Sequence, residues 1–280
     1  MCHLIYTDTF YMKRKWIRWV SWILLTPIIL FVILMVLLYV PPVQNLLRRE
    51  VTAYASKATG MQIQVERIDL RFPLNLLVRG VEVIQQPDTL LSLESLNVRV
   101  QAWPLIKGKV EVDEVTLSRV AVNSADLMEG MNIKGVLGRF FLQSHGVDLS
   151  NELAVINQVE LSDTHVQLLM NDTTTTPKDT TASAPINWKV ALHQLKLKNV
   201  SFSMQLPADS MRMAAHIGEA AIDDAQADLK NQYYDLKKFL LSGTSVSYDT
   251  GTAQPAEGFD ASHIAVRDIR IALDSLLYKR

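Results

Sequence analysis

The sequence predicts a mainly β chain: an N-terminal transmembrane helix and a short amphipathic helix, then an elongated, repetitive antiparallel β-sheet forming an open groove. Three features carry this. One long apolar segment near the N-terminus has no charge, the hydrophobic period changes to two from Met61 onward, and a short β unit recurs down the chain.

No Asp, Glu, Lys or Arg occurs between Arg18 and Arg48, and residues 19–40 read WVSWILLTPIILFVILMVLLYV. At about 1.5 Å per residue this stretch covers roughly 33 Å, enough to cross a hydrocarbon core of about 30 Å. Trp19, Trp22, Leu30, Phe31, Leu38 and Tyr39 are the expected membrane-anchor residues, and Pro27 is tolerable in such a helix. Lys13, Arg14, Lys15 and Arg18 precede the span in a basic cytoplasmic tail (1–18), which places the rest of the chain across the membrane. A cleaved signal peptide fits less well, because the apolar core is too long and Pro41-Pro42 follow it in place of a small-residue cleavage site. Met12, followed by Lys-Arg-Lys, is a second candidate start beside Met1.

After the two prolines, Val43, Leu46, Leu47, Val51, Tyr54, Ala55 and Ala58 recur at spacings of three and four. That stripe predicts an amphipathic helix over 41–60, ending at Gly60 and either lying on the membrane or lifting the next domain away from it. Strand alternation follows at 62–66, 68–70, 81–83, 96–100, 109–112 and 115–117. Residues 125–142 carry a weak helical signal, against which Gly130, Gly135 and Gly138 weigh.

The repeat shows when Ile156, Val159, Leu161, Asp163, Val166 and Leu168 are set over Leu192, Leu195, Leu197, Asn199, Phe202 and Met204, an offset of 36. Val112, Val115 and Leu117 open another copy, as do Ile217, Ala220 and Ile222 with Asp224, and a fifth runs from Ile264 to Leu273 with Asp268. Each unit reads as two short strands about a polar turn, too small to stand alone but able to bury a continuous face when stacked. Between the second and third copies, residues 172–185 (DTTTTPKDTTASAP) form a Thr/Pro-rich linker dividing a first β region (61–171) from a second (186–280).

Residues 41–280 hold 24 Lys+Arg against 28 Asp+Glu, a net of about −4, which argues against a nucleic-acid partner. Cys2 is the only cysteine, so the exported part has neither a disulfide framework nor a thiol nucleophile. His3, His145, His165, His193, His216 and His263 show no metal-ligand spacing. There is no G-x-S-x-G element, and Lys107-Gly-Lys109 lacks the frame of a phosphate loop. The chain reads as a non-enzyme, with no catalytic residue, no metal ligand and no cofactor.

What remains is the apolar half of each strand. One reading makes it a β-sandwich core packed on a second sheet. The other leaves an open sheet whose apolar face binds greasy ligands, with candidate positions Val112, Val115, Leu117, Val159, Leu161, Val166, Leu168, Leu195, Leu197, Phe202 and Met204. The cost of an exposed apolar face favours the core, and the scarcity of helices to cover the sheet favours the groove.

The basic start, the single span, the Pro-Pro stop and the helix ending near Gly60 resemble the AsmA-like family. Its TamB branch of the bacteroidete type is the nearest part, including Ile68-Asp-Leu-Arg-Phe-Pro-Leu74, Asp88-Thr-Leu-Leu91 and Leu96-Asn-Val-Arg-Val-Gln-Ala-Trp-Pro-Leu105-Ile-Lys-Gly-Lys-Val-Glu-Val112. Ile106 departs from the family's Pro-Leu-Leu, and the likeness is densest over 41–125. The resemblance implies an inner-membrane-anchored periplasmic β-groove that passes phospholipid towards the outer membrane and supports its biogenesis. It also implies a longer parent polypeptide whose C-terminal domain meets an outer-membrane barrel. An assembly or secretion scaffold acting by β-strand addition is the alternative.

Overall fold

The structure, a computed structural model, describes residues 36, 39–106, 111–125, 127, 130–148, 152–171, 187–251 and 258–279. Helix α1 (Pro41–Thr59) has proline in its first turn, where a missing N–H costs nothing. It ends at Gly60, whose φ of 71° is the left-handed conformation a C-cap needs, with its N–H on the Ser56 carbonyl. Strands β1 (Gln62–Arg71), β2 (Asn75–Gln85) and β3 (Asp88–Val100) follow, then a short helix α2 (Ala102–Ile106) and β4 (Val112–Asn123). Longer strands come next: β5 (Met131–Asp148), β6 (Leu153–Met170), β7 (Lys189–Leu206), β8 (Met211–Asp228) and β9 (Tyr233–Thr250). The last two are β10 (His263–Leu273) and β11 (Leu276–Lys279).

All of them belong to one 11-stranded sheet in chain order, not closed on itself. Every pairing is antiparallel except β6 with β7, which is parallel. Strands β10 and β11 both pair with β9, one after the other, so they act as a single last strand interrupted at Asp274 and Ser275. The sandwich reading fails, because no second sheet faces this one among the described residues. Residues 125–142 are not helical where described: Met131 onward is β5.

The repeat has a physical meaning. Ile156 pairs with Leu192, Leu161 with Leu197 and Leu168 with Met204, so the offset of 36 is the parallel register itself. Its units, however, are not two strands about a turn. Residues 153–170 and 189–206 each form one strand of 18 residues, and the polar "turn" residue is a kink within it. Asp163 and Asn199 have φ of 51° and 53°, and Asn199 Nδ2 donates to Asp163 Oδ1 at 2.7 Å. Asp and Asn tolerate this left-handed region, whereas a β-branched residue does not.

Such kinks line up across the sheet. Gly80 on β2, Arg119 on β4, Asp163 on β6, Asn199 on β7, Gly243 on β9 and Asp268 on β10 all have positive φ, from 47° to 58°. The positions facing them on the other strands are Glu66, Glu94, Gly138 and Gly218, where each ladder skips a pair. Glycine is required at two of these, since a Cβ on Gly138 would sit 2.7 Å from the Asp163 Cβ and one on Gly218 2.8 Å from the Gly243 carbonyl. A second crease runs six residues away through Asn157, His193, Asp224 and Lys237, where Asp224 has φ 53°. A residue in a helical region bends its strand and resets the in-and-out alternation of side chains.

Helix α1 neither stands clear of the sheet nor lies free: it runs along the outer edge of β1. Gln44 Nε2 donates to the Leu70 carbonyl at 2.9 Å, Arg48 to the Glu66 carbonyl at 2.7 Å, and the Ile63 N–H donates to Ser56 Oγ at 3.1 Å. These contacts satisfy edge groups that would otherwise recruit another strand. Tyr39, expected in the anchor, donates its hydroxyl to the Pro73 carbonyl at 2.6 Å and packs edge-on to Phe72. The other anchor residues, Trp19, Trp22, Leu30, Phe31 and Leu38, lie outside the described residues, as do 172–185. Among the described residues no helix is long and apolar enough to cross a membrane.

Candidate functional site

Residues paired across a sheet share a face, so the register traces each row of side chains from edge to edge. Between the two creases one such row is Ile68, Val78, Leu96, Leu117, Phe140, Leu161, Leu197, Ala220, Leu241 and Ile271. Two residues along each strand, on the same face, runs a second: Leu70, Leu76, Val98, Val115, Leu142, Val159, Leu195, Ile222, Phe239 and Leu273. Neither row contains a polar residue in its entire passage from β1 to β10.

Beyond the first crease the apolar phase shifts by one in every strand: Val159 and Leu161 give way to Thr164 and Val166, Leu195 and Leu197 to Val200 and Phe202. Because the kink resets the alternation, this shift keeps apolar side chains on the same face after the bend. Ile63, Val83, Leu91, Val122, Gly135, Val166, Phe202, Ala215, Val246 and Val266 form the corresponding outer row. Past the second crease the phase shifts again, giving Ile156, Leu192, Ala225, Leu236 and Leu276. The opposite face between the creases is mixed: its middle row carries Thr116, Phe141, Glu160, Lys196, Ala221 and Leu240, flanked by the polar rows Ser118, Arg139, Ser162 and Lys198 and Glu114, Gln143, Gln158 and Gln194.

The eleven candidate positions fall on these rows or one step beyond them. Leu117, Leu161 and Leu197 share the first, Val115, Val159 and Leu195 the second, Val166 and Phe202 the outer row. Leu168 and Met204 pair one step further out, continuing to Met213, Tyr248 and Ile264. Val112 lies one step further out as well: past the register shift at the end of β3 it pairs with Val100, two residues along from Val98, and its carbonyl accepts from the buried Ser144 hydroxyl. Sequence reasoning drew its candidates from β4, β6 and β7 and missed the members in β1–β3, β5 and β8–β10; in β1–β3, β5 and β9 the crease residues Glu66, Gly80, Glu94, Gly138 and Gly243 also lack the Asp/Asn that marked the repeat.

The rows are not sealed. Among the described residues the buried hydrophobics are Ile68, Leu90, Ala154, Leu206 and Ala220, while Phe202, Val246 and Ile271 are about 40% exposed. No protein-family model matches this chain, and no curated protein matches it.

Chemical groups are sparse and paired off. His193 Nδ1 lies 3.0 Å from Asp224, His216 Nδ1 2.9 Å from Ser201 Oγ, and His263 between Asp249 at 3.2 Å and Asp260 at 2.9 Å. Among the described residues no group of three His, Cys, Asp or Glu is placed to hold a metal ion. The shallow depressions over β6–β10 are open; one is lined by Ser201, Ser203, Ala214 and Ser247 with His165, His216 and Arg267.

Proposed function

We propose that this chain is a membrane-anchored lipid conduit, a β-groove whose apolar rows hold phospholipid acyl chains while head groups stay in water. In this reading residues 19–40 fix it in an inner membrane, the sheet stands in the periplasm, and lipid moves towards the outer membrane. The observation that supports it most is the pair of unbroken apolar rows crossing ten strands on one face, with no second sheet over them among the described residues.

The energetics suit transfer. Burial is worth about 0.8 kcal/mol per CH₂, so half-covering a chain of about 16 carbons recovers roughly 6 kcal/mol against water. A bilayer buries the whole chain, worth about 13 kcal/mol on the same scale, so the groove roughly halves the cost of leaving a membrane and release into the next one is downhill. Rows of ten strands at about 4.8 Å spacing extend roughly 45 Å, ample for an acyl chain laid across the strands. Sliding along such rows needs no catalytic group.

Strand addition as the main role has thinner support. It would use a strand edge and leave the rows without a purpose.

The test is co-isolation. Full-length protein extracted in mild detergent should carry phospholipid in native mass spectrometry. The triple variant Leu161→Asp, Leu197→Asp, Phe202→Asp, which puts three carboxylates on the rows, should lose at least nine-tenths of it while keeping the β signature in circular dichroism. Lipid-free wild type, or equal loading of the folded variant, contradicts the reading.

A further inference from the structure

An amphipathic helix ordinarily turns its apolar stripe towards its own domain. Helix α1 does the reverse. The side chains that meet β1 are polar: Gln44 and Arg48 donate to the Leu70 and Glu66 carbonyls, and Ser56 accepts from the Ile63 N–H. Leu46, Val51 and Tyr54 of the apolar stripe are 59%, 46% and 77% exposed. At about 100° per residue, Leu46, Val51, Tyr54 and Ala58 centre roughly 130° around the helix from Gln44, Arg48 and Ser56.

What covers the stripe follows from what precedes it. The uncharged apolar stretch 19–40 ends at the residue before Pro41, where α1 begins. A span there holds the start of α1 at the bilayer surface, so the helix either lies along that surface or points away from it. Pointing away would leave the stripe in water. Two further features favour lying flat. Tyr39, next to the end of the stretch, donates its hydroxyl to the Pro73 carbonyl and so brings the β1–β2 turn to the same level, where Phe72 is 85% exposed. Helix α1 also carries Arg48, Arg49 and Lys57 against one acid, Glu50, a balance that suits anionic head groups.

We infer that α1 is an interfacial helix: Leu46, Val51, Tyr54 and Ala58 lie in the headgroup layer of the bilayer, with Phe72 beside them, while the polar side of the same helix holds β1. The inference rests on residues 19–40 being a span and is independent of what the rows carry. Contacts pair Gln44 with Leu70, Arg48 with Glu66 and Ser56 with Ile63, so β1 runs beside α1 in the opposite direction and lies along the surface too. Strand β9, eight strands on, then stands up to roughly 40 Å from it at about 4.8 Å per strand.

A depth measurement on the full chain tests it, in vesicles of phosphatidylethanolamine and phosphatidylglycerol, with Cys2→Ser removing the native thiol. Single cysteines carry an environment-sensitive dye, and quenching by nitroxide-labelled lipid reads how deep each dye sits. Phe31→Cys, in the expected span, should be quenched deep in the bilayer. Leu46→Cys and Tyr54→Cys should report a depth of about 5–10 Å into the interface. Asn45→Cys and Arg49→Cys, on the far side of the same helix, and Lys238→Cys on β9 should stay in water. Leu46, Tyr54, Asn45, Arg49 and Lys238 are all exposed, so a dye there displaces no packed side chain. Unquenched Leu46→Cys and Tyr54→Cys beside a quenched Phe31→Cys overturns the inference and leaves the anchor in place. A dye on the stripe that is shielded from water yet untouched by the lipid quencher overturns it too, since a protein then covers the stripe. An unquenched Phe31→Cys overturns both the inference and the span.

Discussion

Single residues at the creases decide whether the strands bend. Gly218 accommodates the neighbouring kink because a Cβ there would lie 2.8 Å from the Gly243 carbonyl, a backbone atom that cannot swing aside. Gly218→Ala should cost about 1–3 kcal/mol, the range for overpacking, visible as a lowered melting temperature. Asn199→Val places a β-branched side chain at φ 53° and removes the bond to Asp163. It should cost about 2 kcal/mol, with Asn199→Gly closer to wild type. Asp228 gives a pH-dependent term. Hydrogen bonds from the Asn231 side chain at 2.8 Å and backbone at 3.1 Å, helped by Lys189, hold its carboxyl below the ordinary 3.8. A depressed carboxylate stabilises above its unfolded value and loses that contribution as pH falls through the folded one. Asp228→Asn should therefore lower the melting temperature at pH 7, and the difference should vanish in acid well below 3.8.

At the scale of elements, α1 works as an edge cover. Each carbonyl bond it makes to β1 is worth about 1 kcal/mol. The double variant Gln44→Ala, Arg48→Ala should raise hydrogen exchange of β1 amides by roughly thirty-fold and leave β7 and β8 unchanged. The end of α1 at Gly60 was legible, because a left-handed cap after an apolar stripe has a glycine signature. Strands were legible wherever alternation was clean, and the offset of 36 between β6 and β7 was visible before its meaning as a register. Strand length was not. The phase shift at Asp163 and Asn199 resembles a turn in one dimension, and only the pairing shows that hydrogen bonding continues on both sides. Strand β5 was hidden for a related reason: Phe140-Phe141 and three glycines blur the period of two. Most of the candidate rows were readable from β6 and β7 alone, whereas the register shift between Arg99 and Val100, which sets the partner of Val112, leaves no mark in the sequence.

For the molecule as a whole, one design recurs in every long strand: an apolar pair between two creases, with the phase reset at each so that one face stays apolar. That rule explains why few hydrophobics are buried in a chain that is 49% hydrophobic. It also gives the face a direction, from the edge covered by α1 to the edge at β10 and β11. Photocrosslinking in native membranes tests this central claim most directly, with a photoreactive residue placed at single positions along the rows and on the reverse face. Leu117, Leu161, Leu197 and Leu241 should each trap phospholipid, while Thr116, Glu160 and Lys196, one residue away and facing the other side, should trap none. Equal labelling of both faces, or silence along the rows, would contradict the account.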